Sequence, residues 1–188
     1  EELAQAYGVP CEVERKDAAG FAEAGKLNLE AASRDLRYEF FQRVAASRQA
    51  QLIFTAHTRD DQAETLLMQL VRGTGVAGWK GIHQRIELSE GLSLIRPLLE
   101  LGRAQILEHC ETRDLSYRTD SSNSSTDFTR NRLRLNVLPQ LRELNPEFDQ
   151  ALISLAGEAG ENLELLHLEA ERLVTECGVG DSLRVGSL

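Results

Sequence analysis

The chain has 188 residues and a formal charge of −9, from 21 Lys and Arg against 30 Asp and Glu. That length supports one domain with a proper core and an appendage, and that charge argues against a dedicated non-specific nucleic-acid binder, which is normally basic. No apolar run reaches about 18 residues, so no transmembrane helix is expected, and the scattered Cys11, Cys110 and Cys177 argue against a disulfide scaffold, a zinc site or an iron–sulfur site and suit a reducing cytoplasm.

The chain opens EELAQAYGVP with no Met and no basic leader, and reads as beginning inside a domain. Residues 1–8 predict the end of a helix capped by Gly8. Val9 to Arg15 alternates and predicts a strand, and Ala18 to Gly25 predicts a small, mobile connection. Asn28 can cap a helix running to about Ser47, with Leu29, Ala32, Leu36 and Phe40 along one side and Glu30, Arg34 and Arg37 along another. Leu52, Ile53 and Phe54 form a short apolar run that fits a strand covered on both faces. Thr58 can cap the next helix, with Asp61 three residues on as a weak capping box. Its core face is expected at Ala63, Leu66, Leu67 and Leu70, which puts Asp61, Glu64, Thr65 and Met68 on the face away from the core. Gly73 ends it.

The string GTGVAG at 73–78 matches a dinucleotide fingerprint in letters but follows a helix rather than a strand, so that reading is rejected. A glycine-rich lid or connection anchored by Trp79 is expected instead. Arg85 to Pro97 predicts strand, turn at Glu90-Gly91, strand. Gly102 to Arg113 predicts a helix with Ile106, Leu107 and Cys110 inward, and Leu115 to Tyr117 a short strand. Residues 120–128 carry loop chemistry. Helical periodicity returns from Thr129 through Leu133, Val137, Leu141 and Leu144, with Pro139 splitting it or opening a new helix. After the break at Asn145-Pro146, a long amphipathic helix from Asp149 is expected to show a stripe of Leu152, Leu155, Ala159, Leu163, Leu166, Ala170 and Leu173. The end, from Gly178, reads as the start of another small element. The alternation of strands and helices implies an α/β domain with a mostly parallel sheet.

Four blocks carry candidate chemistry: EAASRDLRYEFF (30–41), TAHTRDDQAET (55–65), IRPLL (95–99) and DSSNSSTDFTRNRLR (120–134). His57, Asp60, Asp61 and Glu64 crowd the turn after a strand, where open α/β sheets place ligands. The plainer reading is equally available, because acids favour the first turn of any helix and a histidine at a strand end is often just hydrogen-bonded. Arg130 and Arg134 lie one helical turn apart beside a loop of Asp, Asn and Ser. That arrangement suits planar recognition of phosphate as well as it suits a solvated basic helix start. His57, His83, His109 and His167 form no metal-binding pair.

In this order and spacing the blocks resemble the tRNA(Ile)-lysidine synthetase family, of the PP-loop ATP-pyrophosphatase superfamily, over residues 1 to about 145. The resemblance implies a Rossmann-like sheet of the adenine nucleotide α-hydrolase kind. It divides the chain into a partial catalytic domain, 1–145, and a helical linker or start of a tRNA-binding domain, 146–188. It implies ligation of L-lysine to C2 of the wobble cytidine of an isoleucine tRNA with a CAU anticodon. ATP with Mg²⁺ first adenylates the base, and the lysine ε-amine then displaces AMP. It implies catalytic roles for Asp61, Glu64, His57, Arg37 and Arg130. It also implies substrate or nucleotide contacts for Arg34, Asp60, Arg96, Asp120, Asn123, Asn131 and Arg134, with Arg96 and Asp120 equally able to pair as structural ions. No metal ligand, no membrane association and a cytoplasmic site are expected, and a homodimer is compatible with the resemblance.

The family's S-G-G-x-D-S phosphate loop does not occur in the chain. It is expected upstream, so the chain reads as a fragment that is inactive by itself. Thr58 and Ser33 are smaller departures. Two other readings stay open. A related tRNA thiolase would need sulfur-carrying cysteines that the spacing does not offer. A catalytically silent RNA-binding module would fit a native protein that begins near Glu1.

Overall fold

The computed structural model describes residues 1–117, 129–179 and 182–183. The chain forms two compact units: Glu1–Phe54 with Ile86–Ile95, and Thr55–Arg85 with Arg96–Leu188.

The first unit holds α1 (Glu2–Ala6), α2 (Ala18–Gly25), α3 (Leu29–Arg48), β1 (Leu52–Phe54), most of β2 (Arg85–Ser89) and β3 (Leu92–Ile95). Helix α1 ends in a left-handed Gly8, φ 63°, with Val9 N–H bonded to the Ala4 carbonyl, a C-terminal motif that satisfies orphan carbonyls. Segment 18–25 is a helix rather than a connection. Its glycines obscure the helical signal, but Asp17 Oδ1 accepts the N–H groups of Ala19 and Gly20 at 3.1 and 3.0 Å and so caps it. Asn28 Oδ1 accepts Ala31 N–H at 2.8 Å and caps α3 as expected. Helices α2 and α3 pack together, with Ala22 of one and Ala32 of the other buried.

Val9 to Arg15 forms no strand. A strand needs a ladder partner, and none is paired with it among the described residues; instead Arg48 holds Glu12 at 2.8 Å, and Arg43 and Lys16 hold Glu14. The sheet order is β1-β3-β2, with β1 parallel to β3 through Ile53 opposite Leu94. The Glu90-Gly91 turn closes the β2–β3 hairpin, Gly91 taking φ 75°. β1 is not covered on both faces. Among the described residues it is an edge strand, and Leu52 and Phe54 are 47 % and 62 % exposed, while β3 between the other two strands is buried.

The second unit contains α4 (Arg59–Val71), a 3₁₀ turn (Val76–Gly78), α5 (Arg103–Thr112), α6 (Thr129–Arg132), a π-helical turn (Leu133–Val137), α7 (Leu138–Leu144), α8 (Phe148–Cys177) and the small antiparallel pair β4 (Gly178–Val179) and β5 (Ser182–Leu183). Its core joins Ala63, Leu66, Leu67 and Met68 of α4 to Leu133, Leu138, Leu152 and Ala156, with Trp79, Leu141, Phe148 and Ile153 packed against it. Trp79 thus anchors the glycine-rich loop as expected. Pro139 stands in the first turn of α7, where its missing N–H costs nothing.

Two apolar faces differ from the periodicity, and a second expected strand does not form. On α4, Met68 is buried and Leu70 is 47 % exposed, so the covered arc is rotated toward the acidic side. The reason is that α4 packs on two sides, against α8 and against the segment 129–137. On α8, Leu152 and Ala156 are buried but Leu155 and Leu166 are exposed, because the seam follows a four-residue step. Leu115 to Tyr117 forms no strand and has no ladder partner among the described residues. No described helix is long and apolar enough to cross a membrane.

Candidate functional site

The start of α4 is built by its own sequence. Thr58 and Asp61 form a capping box: Asp61 Oδ2 accepts Thr58 N–H at 2.9 Å and the Thr58 hydroxyl at 3.0 Å. This leaves Asp61 Oδ1 directed to Arg130 Nη2 at 3.3 Å. One turn later, Glu64 accepts Arg130 Nε at 2.8 Å and both Nε and Nη2 of Arg134, at 2.5 and 2.9 Å. Arg130 and Arg134, one turn apart across α6 and the π-helical turn, therefore close on the same carboxylate. Glu64 does not face away from the core: it is 1 % exposed. A buried carboxylate persists when it is paired and fully hydrogen-bonded, and two arginines do that here. Hydrogen bonding to Glu64 raises the Arg134 pKa above its ordinary value against the opposing effect of burial.

A second ionic layer lies beside the first. Asp60 Oδ2 accepts Arg103 N–H, the first of α5, at 2.7 Å. Asp60 Oδ1 accepts Arg142 Nη2 at 2.8 Å, and Arg142 also donates to both oxygens of Asp149, at 3.1 and 2.6 Å. Asp149 raises the Arg142 pKa above the ordinary arginine value chiefly through these hydrogen bonds.

Both layers border a cavity of about 500 Å³, within the range of small-molecule sites. Thr58, Asp60, Asp61, Glu64, Arg103, Arg134 and Arg142 are its polar and charged lining, and Ala56, Leu98, Ile106, Leu107, Cys110, Tyr117 and Leu138 the rest of it. The three α5 side chains expected to point inward thus form part of its wall.

The structure brings Asp60, Asp61, Glu64, Arg130 and Arg134 together. His57 stands two residues before the cap, with its Nδ1 3.0 Å from the Thr55 hydroxyl. Asn131, partly buried, sits between the two arginines in sequence. Arg96 is 3 % exposed and donates to the His83 carbonyl, so it braces the loop before β2. Arg34 and Arg37 are exposed on α3 of the other unit, Arg34 lying 5.4 Å over the Tyr38 ring. Asp120 and Asn123 lie outside the described residues. Arg103, Arg142 and Asp149 were missed. Arg142 and Asp149 flank the Asn145-Pro146 break, which separates α7 from α8 and so hides their pairing from any one helical period.

Asp61 and Glu64 do not fit a Mg²⁺ site as they stand: their oxygens accept from Thr58 and the arginines, and no group of three His, Cys, Asp or Glu able to hold a metal occurs among the described residues.

The PP-loop domain family matches residues 1–141. The bifunctional protein TilS/HprT of Listeria monocytogenes is 36 % identical over 93 % of this chain and 27 % of its own length. The tRNA(Ile)-lysidine synthase of Bacillus subtilis is 41 % identical over 83 % of this chain and 33 % of its own. The chain therefore spans about a third or less of the length of these curated relatives. Among solved structures, the U34-tRNA thiolase NcsA from Methanococcus maripaludis with its [4Fe-4S] cluster superposes with a TM-score of 0.64 at 17 % identity, covering 84 % of this chain and 53 % of that one. At that identity the likeness shows a shared fold.

Proposed function

Because the chain belongs to the PP-loop domain family, we propose that it forms part of the catalytic domain of a tRNA(Ile)-lysidine synthetase. The reaction is ATP-dependent. The O2 oxygen of the wobble cytosine attacks the α-phosphorus and pyrophosphate leaves. The ε-nitrogen of lysine then bonds C2, and AMP departs with the oxygen. Before attack, the ε-ammonium must lose a proton.

The observation that carries this reading is the pairing of a carboxylate–arginine cluster with an apolar wall in one cavity. Leu98, Ile106, Leu107 and Leu138 suit a lysine stem. Asp61 is the acid best suited to receive the ammonium and its proton, since it lines the cavity with a side chain 24 % exposed. Glu64, buried and held by three N–H bonds, serves instead to fix Arg130 and Arg134, which stabilise phosphate charge. His57 and Asn131 border this machinery. Arg34 and Arg37 are assigned to the ATP phosphates or the activated base by the family pattern alone. The name of the Bacillus subtilis relative supports an isoleucine tRNA as substrate, and the PP-loop domain supports ATP.

The test is transfer of labelled lysine to isoleucine tRNA with a CAU anticodon, using the protein of the complete reading frame beside this 188-residue chain. Transfer by the complete protein and none by the chain is expected, because the chain has no S-G-G-x-D-S string. No lysine transfer by either, with sulfur incorporated instead, would move the assignment to a thiolase.

A further inference from the structure

We infer that Arg142 and Asp149 are positioning residues of this site, forming a strut that holds the first turn of α4 and the start of α5 at the cavity wall. The inference rests on the ligase reading for its kinetic test but not for its geometry.

Asp60 is the hinge of the arrangement. One of its oxygens takes the first N–H of α5 at 2.7 Å and the other takes Arg142 at 2.8 Å. Arg142 stands in the last turn of α7, and Asp149 in the first turn of α8. The ends of four helices therefore meet at three side chains. The carboxylates flank one guanidinium, so the planar fork is held from two sides, which a point charge could not reproduce. The Asp149 and Asp60 side chains are 16 % and 24 % exposed, so these bonds are partly shielded from solvent.

What the strut fixes is functional. Asp60 immediately precedes Asp61, so the backbone that sets Asp61 toward Arg130 is held at its N-terminal side by Arg142. Downstream, α7 continues the segment that bears Arg130 and Arg134. The two ionic layers thus join the same two chain segments, one layer making the site and the other setting their separation. Arg103, Asp60 and Arg142 all line the cavity, so loosening the strut changes its width.

The experiment uses the complete protein with Arg142→Met, Arg142→Lys and Asp149→Asn, and Arg172→Met on exposed α8 as a control. Arg142→Met is expected to raise the lysine KM roughly 10- to 100-fold, the range a small misplacement of a site produces, with thermal melting within about 5 °C of wild type. Arg142→Lys, able to hold one carboxylate at a time, falls between, and Arg172→Met matches wild type. Hydrogen exchange reads the strut without substrate: protection of Arg103 N–H should fall in Arg142→Met. A lysine KM within about twofold of wild type, or unchanged Arg103 protection, overturns the inference. If Arg142→Met does not fold, wild-type values for both Arg142→Lys and Asp149→Asn overturn it equally. If wild type itself transfers no lysine, the ligase reading fails, and the exchange measurement alone decides the strut.

Discussion

Glu64 and Asp61 sit one turn apart on the same helix, yet they answer to different physics. Glu64 is 1 % exposed and accepts three N–H bonds, so its removal takes the buried carboxylate from two guanidinium groups and leaves Asp61 beside them. Glu64→Ala is therefore expected to destabilise the second unit by about 3 kcal/mol, the low end for breaking a buried pair because both arginines keep some solvent. Glu64→Gln should cost less but still abolish transfer, since a neutral amide cannot hold two arginines. Urea denaturation beside the lysine-transfer assay checks both. Asp61→Asn behaves oppositely. An amide oxygen still accepts from Thr58, so stability should change by less than about 1 kcal/mol, while transfer falls by about two orders of magnitude or more through loss of the proton acceptor. Near-normal transfer by Asp61→Asn would remove it from the mechanism.

At the scale of elements, capping and turn chemistry were legible, and facing only in part: Ala63, Leu66 and Leu67 are buried as their spacing predicts, while Glu64 and Met68 are buried against it. Thr58 with Asp61, Asn28, Gly8, Gly73, Pro139 and the Glu90-Gly91 turn all act where local sequence puts them, because each satisfies its own backbone within a few residues. The side of α4 that is covered depends on segments 70 residues away in the chain, and no period within 59–71 records them. The same holds for the site. The acids and Arg130 with Arg134 were visible as motifs, whereas Arg142 was silent because its partner Asp60 is remote in sequence, and Asp149 because its partner Arg142 lies across the Asn145-Pro146 break. Facing makes a sharp prediction. Met68→Ala and Leu67→Ala should each cost about 2–5 kcal/mol, as buried truncations do, and Leu70→Ala under about 1 kcal/mol, as an exposed change does. Equal costs at Met68 and Leu70 would contradict the packing. Gly81 offers a second check. Its φ is 59°, and an added Cβ would meet the Gln62 amide at 2.8 Å, the group that pairs with both backbone atoms of Ile82. Gly81→Ala should destabilise by about 1–2 kcal/mol from the left-handed backbone alone, with the displaced Gln62 adding to it, measurable by chemical denaturation.

For the whole molecule the tension is between a charge of −9 and the proposed RNA substrate. RNA binding draws on phosphate neutralisation, and each phosphate contact steepens the fall of affinity with salt. The arginines at the site are already engaged: Arg130 and Arg134 by Asp61 and Glu64, Arg142 by Asp60 and Asp149. Elsewhere Arg43, Arg48 and Arg172 are paired with glutamates in the same way. A phosphate reaching these groups must compete with a carboxylate, so each contact yields less than a free cation would. The 188-residue chain should therefore bind CAU isoleucine tRNA weakly, with a slope of log affinity against log salt corresponding to fewer than about three phosphates. Fluorescence anisotropy between about 50 and 200 mM salt measures it. A slope of six or more would show that the ion pairs open to RNA and that the site's arginines are the docking surface. A shallow slope would place most of the tRNA affinity in the length of the curated relatives that this chain does not span.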